Sequence, residues 1–254
     1  MIKVVKVGGG IIEQEGALNT FLDSFSKIEG PKVLIHGGGR LATKFAKKLG
    51  HKTNMVEGRR VTDKNMLDIV TMVYGGLTNK KIVAKLQAIG VNALGLSGAD
   101  ANLITAHKRI VHKVDYGWVG DIDSVNSSLL LNLIKSDIVP VVAPLSHDGR
   151  GKMLNINADT IANEVSKALA QEEKTQLILG FELDGVLKDF NNKSSVIKKI
   201  TPQLFKELKS EGIISEGMIP KLTNAFDAIK SGVSSVRVCN ALKVEKDSGT
   251  LISK

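Results

Sequence analysis

Apolar residues in this chain fall into short runs that end at glycines, alternating with stretches of helical spacing. Ile2 to Val7 is apolar apart from Lys3 and Lys6 and stops at Gly8-Gly9-Gly10, which predicts a buried strand. Leu18, Phe21, Leu22 and Phe25 follow on one helical face. Val33-Leu34-Ile35 predicts a second strand, ended by His36 and Gly37-Gly38-Gly39, and a helix from about Leu41 to Leu49 comes next. Strand, glycine turn and helix thus occur twice in the first 50 residues, the pattern of a parallel α/β sheet.

Thr62 is the expected N-cap of a long helix beginning at Asp63, with Met66, Ile69, Val70, Val73 and Leu77 forming its apolar stripe. The helix is expected to run toward Gln87, although Gly75-Gly76 weakens its middle by about 1 kcal/mol per glycine. Residues 93–96 predict a short strand, and alternation over 104–119 predicts one or two β-hairpins. Helices are expected at 128–135, 159–170, 201–212 and 219–231, and strands at 138–143, 177–179, 235–239 and 249–252. Pro140 marks its strand as irregular or close to an end. No linker composition interrupts the chain, so two lobes would share one sheet.

Composition narrows the class. With 254 residues, 43% hydrophobic and 24% charged, the chain can bury a sizeable core. No apolar run approaches the roughly 18 residues of a membrane span, and no cleavage pattern marks a signal peptide. The single cysteine, Cys239, cannot form an internal disulfide and fits a reducing cytoplasm. The net charge of +9 is compatible with nucleic acid, an acidic protein or small polyanions. The lysine pairs Lys47-Lys48, Lys80-Lys81 and Lys198-Lys199 are dispersed, and with 4% aromatic residues stacking platforms for single strands are scarce, which argues against nucleic acid.

Candidate chemistry lies at strand ends. A P-loop signature is absent, and no G-x-G-x-x-G follows the first strand. Instead Lys6-Val7-Gly8-Gly9-Gly10 and His36-Gly37-Gly38-Gly39 both precede helices, where glycine lets backbone N–H groups approach an anion. Asn155-Ile156-Asn157-Ala158-Asp159 opens a helix, where Asp159 could simply favour the N-terminus. Gly217-Met218-Ile219-Pro220-Lys221 sets a lysine one turn into another helix, and alone it reads as a solvated surface residue. The five histidines show no metal-ligand spacing, and His36 reads as structural.

Taken together, Lys6-x-Gly-Gly, His36-Gly-Gly-Gly, Asn155-x-Asn-Ala-Asp159 and Gly217-Met-x-x-Lys221 resemble the amino acid kinase family, within it the members that phosphorylate N-acetyl-L-glutamate. Gly58-Arg59-Arg60-Val61-Thr62, Asn79-Lys80 and Gly249-Thr250-x-Ile252 match as well, so the likeness spans nearly the whole chain. It implies a three-layer αβα sandwich around a central, mostly parallel sheet. Residues 1–174 would form an N-terminal lobe for the acyl-amino acid and for dimerisation, and residues 175–254 a C-terminal ATP lobe. By the same resemblance, Lys6 and Lys221 approach the transferring phosphoryl group, Gly9 and Gly38 donate N–H groups to it, and Asp159 holds the lysines in place. Gly38, Gly39, Arg60 and Asn155 would bind the substrate, with Arg60 on its α-carboxylate. The nucleotide would contact Glu182, Leu183, Asp184, Gly185, Val186 and Leu187, together with Ile213, Ile214 and Ser215.

The implied reaction is ATP-dependent phosphorylation of the γ-carboxylate of N-acetyl-L-glutamate in arginine biosynthesis. A carboxylate acceptor with a pKa near 4.3 is already ionised at neutral pH, so no general base is required. Alignment and charge neutralisation carry such a transfer, with Mg²⁺ held mainly by nucleotide oxygens and water rather than by a protein metal cluster. Glu182 stands where the family usually has Asp, and Arg59 where an apolar residue is usual beside the acyl pocket. Arg59 is either a surface residue or a partner for a larger anionic acyl group, as in N-succinylglutamate. Val73-Tyr74-Gly75-Gly76-Leu77 and Ala93-Leu94-Gly95-Leu96-Ser97-Gly98 also look like the kinases that act on carrier-protein-linked aminoadipate. A nucleotide-binding regulator is the non-enzyme alternative. The first strand begins at about Ile2, without room for the extra helix of the arginine-inhibited hexamers, so the expectation is a cytoplasmic homodimer, paired through the helix from Asp63 to Gln87 and insensitive to arginine.

Overall fold

The computed structural model describes every residue except Glu57, Phe190 and residues 215–217. Alternating side chains on each central strand are apolar on both sides, as a strand covered on two faces requires. Val4, Val33 and Ile35 pack on one face with the helices Ala158–Ala170 and Ile219–Lys230. Val5, Leu34 and Ile178 pack on the other with Glu15–Ser26 and Asn79–Ala88, which contribute Phe21, Phe25, Ile82 and Leu86. The result is the expected αβα sandwich.

The central sheet has eight strands, in the order Lys199–Ile200, Thr250–Ile252, Ser235–Asn240, Thr175–Phe181, Ile2–Val7, Lys32–His36, Val139–Val142 and Ala93–Leu96. Neighbours pair in parallel from Ser235–Asn240 to Ala93–Leu96. Thr250–Ile252 runs antiparallel to Ser235–Asn240 and parallel to Lys199–Ile200, so the outer two strands point the other way. Ile2–Val7 lies between Lys32–His36 and Thr175–Phe181, at the point where the chain order reverses, so a crevice opens at its carboxyl end beside Lys6. One continuous sheet therefore spans both halves of the chain.

Three sequence expectations change. The cap of the long helix is Asp63, not Thr62: its side chain accepts from the Met66 N–H at 2.8 Å, while the Thr62 hydroxyl is buried and accepts from Asn155. The helix continues to Ala88, but Thr71–Thr78 is π-helical, so the Gly75-Gly76 weakness becomes a widened turn rather than a break. Over 104–119 there is one hairpin arm, Ile104–Lys108, whose partner is Gly120–Val125. That hairpin joins Leu145–His147 and Met153–Asn155 in a four-stranded second sheet over the crevice.

Candidate active site

The floor of the crevice is made where the two glycine turns touch. A Cβ on Gly37 would lie 3.1 Å from the Gly9 nitrogen, and one on Gly9 would lie 3.5 Å from the Gly38 nitrogen. Gly38 has φ of 158°, and a Cβ there would come within 2.9 Å of the Tyr74 ring. At Gly37 and Gly38 a side chain would crowd the facing backbone and the Tyr74 ring, so glycine there lets the turns approach and gather N–H groups at one point. The helices Gly9–Glu13 and Gly39–Lys48 begin immediately after the turns.

Lys6 stands above this floor, 7% exposed, with its ammonium 2.8 Å from Asp159 Oδ1. The contact is ionic rather than a well-aligned hydrogen bond, since Oδ1 has no partner of good geometry. Asp159 is in the first turn of Ala158–Ala170, where Asn157 caps the helix by accepting from the Asp159 and Thr160 N–H groups at 2.7 and 3.3 Å. Lys221 enters from the first turn of Ile219–Lys230. Burial lowers its pKa, the Asp159 charge opposes that shift and the Lys6 charge adds to it. Thus the sequence-predicted Lys6, Asp159 and Lys221 lie within electrostatic reach of one another.

Two cavities meet at Lys6, Gly9 and Gly39. The first is lined by Gly38, Arg60, Asn155 and Asp159, all named from sequence, and also by Tyr74, Arg59 and Arg109. The buried Arg60 guanidinium donates from Nη2 to the Gly39 carbonyl at 2.7 Å and to Thr43 Oγ1 at 2.8 Å. Asn155 Nδ2 donates to Thr62 Oγ1 at 2.9 Å. Arg109 donates from Nε and Nη2 to Asp121, at 2.5 Å in its shortest contact, and these bonds hold the Asp121 carboxyl below the usual range.

The second cavity is lined by Gly10, Arg40, Gly180, Phe181, Glu182, Leu183, Gly185 and Lys221. Glu182 is exposed and 3.9 Å from Arg40. Asp184 stands outside that lining, accepting from Asn240 Nδ2 at 3.0 Å. Val186 is buried in the core, with its N–H donating to Thr250 Oγ1 at 2.8 Å, and Leu187 bridges to Val196. Ile213 and Ile214 pack on the core, and Ser215 and Gly217 fall outside the described residues.

His36 is fully buried behind the floor. Its Nδ1 donates to the Gly37 carbonyl at 2.7 Å and its Nε2 accepts from Asn79 Nδ2 at 3.2 Å, and burial pushes its pKa down to about 4. The ring is neutral and fixes the turn to the long helix. Tyr74, Arg109 and Phe181 were not singled out as site residues from sequence. The only available signal was Tyr74 standing directly before Gly75-Gly76, at the widened turn.

Backbone amides at helix starts, two lysines from distant parts of the chain and the Asp159 carboxylate gather at the junction of two cavities. The sequence model of the amino acid kinase family matches residues 1–240, and this chain belongs to that family. It is 56% identical over 253 residues to the acetylglutamate kinase of Phocaeicola vulgatus, covering 100% of this chain and 98% of that one. The crystal structure of smu.665 from Streptococcus mutans is similar with a TM-score of 0.79 at 30% identity, covering 99% of this chain and 98% of that one. Carbamate kinase from Giardia lamblia bound to AMP-PNP shares the fold, with a TM-score of 0.71 at 13% identity over 100% of this chain and 98% of that one.

Proposed function

We infer that this chain is a kinase that uses ATP to phosphorylate the γ-carboxylate of N-acetyl-L-glutamate, a step of arginine biosynthesis. Full-length similarity to acetylglutamate kinases at 54–56% identity supports the reaction. The observation that carries the mechanism is the junction of the cavities, where Lys6 lies 2.8 Å from Asp159 and Lys221 lines the adjoining wall. In this reading the acyl substrate occupies the first cavity, with its α-carboxylate toward Arg60 and with Gly39 and Asn155 beside it. The nucleotide occupies the second, along Glu182, Leu183 and Gly185. Gly9 and Gly38 N–H groups and the two lysines neutralise charge on the phosphoryl group as the bond from a γ-carboxylate oxygen to phosphorus forms and the bond to the ADP oxygen breaks. Asp159 orients the lysines and takes no proton. Among the described residues no three carboxylate, His or Cys side chains gather as a metal site, and Asp159 is engaged by Lys6, so the donor set fits Mg²⁺ carried on nucleotide oxygens, where it adds charge neutralisation.

Residues 1–174 serve as the acyl-amino-acid lobe and 175–254 as the ATP lobe in this account. The protein works as a cytoplasmic homodimer. Met72 and Leu77 on the long helix are 56% and 45% exposed, which supports pairing through that face. No helix among the described residues is long and apolar enough to cross a membrane. A second reading keeps the reaction and lengthens the acyl group: Arg59 and Arg109 line the same cavity as Arg60, which suits an additional carboxylate such as that of N-succinylglutamate. ADP release with each acyl-glutamate, with hydroxylamine trapping of the acyl phosphate, tests both readings. Higher kcat/KM with N-succinylglutamate would select the second, and no acyl-dependent ADP release would overturn both.

A further inference from the structure

Lys221 occupies an adverse place for a cation. It stands in the first turn of Ile219–Lys230, where the positive end of the helix dipole opposes it, and Lys6 repels it. Asp159, the carboxylate that attracts it, is already in contact with Lys6 at 2.8 Å. Among the described residues no carboxylate lies within ion-pair distance of the Lys221 ammonium. What it does meet is an aromatic ring: Nζ is 4.1 Å from the centroid of Phe181. The Lys6 ammonium is 5.5 Å from the same centroid. Phe181 ends the strand Thr175–Phe181, beside Ile2–Val7, and is only partly buried, so its ring is available to both ammonium groups.

We propose that Phe181 is a positioning residue, holding the Lys221 ammonium in the cleft against its ring, with Lys6 near the same ring, so that both cations face the phosphoryl group before ATP arrives. A ring face attracts a desolvated ammonium where a second carboxylate would repel the incoming triphosphate. The consequence for turnover rests on the kinase reading above; the contact itself does not.

The test has two arms. Phe181→Leu keeps an apolar side chain and removes the ring, whereas Phe181→Trp keeps a ring. Leu should lower kcat by about 5- to 30-fold with little change in the KM of the acyl substrate, and Trp should stay within about 3-fold of the parent. Leu should also move the alkaline limb of the kcat profile to lower pH, because the Lys221 cation loses a stabilising partner while leucine keeps that wall apolar. In the second arm, the protein is labelled with ¹³C-lysine and its Lys221 signal is assigned with Lys221→Arg. The ε-methylene protons should be shifted upfield by the ring, and that shift should vanish in Phe181→Leu while the melting temperature holds within a few degrees. Equal loss of kcat in Leu and Trp with an unmoved pH limb would reduce Phe181 to packing and overturn the proposal. An unshifted ε-methylene in the parent protein would overturn it independently of turnover. If the parent shows no acyl-dependent ADP release, the kinase reading fails while the spectrum still decides the contact.

Discussion

The two cavities that meet at Lys6, proposed above to hold the acyl substrate and the nucleotide, are built differently. On the acyl side the polar groups already have partners: Arg60 with Gly39 and Thr43, Asn155 with Thr62, and Arg109 with Asp121. On the nucleotide side Glu182 makes only a long, exposed contact with Arg40, and Lys221 rests on a ring, with no ion pair among the described residues. Paired donors hold their geometry before a ligand binds, so the acyl cavity is organised in advance and a small substrate loses little freedom in ordering it. The nucleotide wall depends more on strand ends, backbone and apolar contact, which suits a large anion that brings its own charge and metal. Removing a residue should therefore cost most at the junction, less on the acyl side and least at the nucleotide rim.

Lys6→Ala is the largest expected effect. It removes one cation at the phosphoryl group and strips Asp159 of its contact, so kcat should fall by about 100- to 1,000-fold or more in an ADP-release assay. A fall of less than 10-fold would separate the ion pair from the chemistry. Arg60→Ala should lower kcat/KM for the acyl substrate by about 10- to 100-fold, mostly through KM, with the KM for ATP changing far less. Equal changes in both KM values would show that the two sides are not organised separately.

His36 offers a stability test of the floor. Its pKa is about 4 in the folded protein and near 6.5 when exposed, so the unfolded chain binds the proton first as pH falls. The stability held by the neutral ring is intact above about pH 6.5 and is lost progressively down to about pH 4, by roughly 3 kcal/mol in all. Urea unfolding of the parent and of His36→Gln should show a shallower slope in the variant across that window. Glu182→Gln is the smallest effect. The pair with Arg40 is long and exposed, so stability should change by less than about 0.5 kcal/mol. A large rise in the KM for ATP in this variant would show that the rim is as organised as the acyl wall.

Sequence revealed the sheet and both glycine turns because each strand ends abruptly at glycine, and a long buried strand has a strong apolar signal. The strands Leu145–His147 and Met153–Asn155 were not legible, since segments of this length have no period to detect and pairing across the cleft decides them. Thr62 misled because its hydroxyl was free to serve tertiary structure, through Asn155, while the neighbouring Asp63 took the cap. Lys6 and Asp159 could be named as charged groups at strand and helix ends. Phe181 and Tyr74 could not, because an aromatic at the end of an apolar run looks like core until a cation or a glycine turn is placed against it.

Calorimetric binding of ADP with aluminium fluoride, in the presence of N-acetyl-L-glutamate, tests the junction most directly because it mimics the phosphoryl group in transfer without requiring turnover. The account predicts that the parent protein binds the mimic at least about 100-fold more tightly than ADP alone, and that Lys6→Ala and Lys221→Ala each lose most of that gain while still binding ADP. Variants that keep the full gain would contradict a phosphoryl group held between these two lysines.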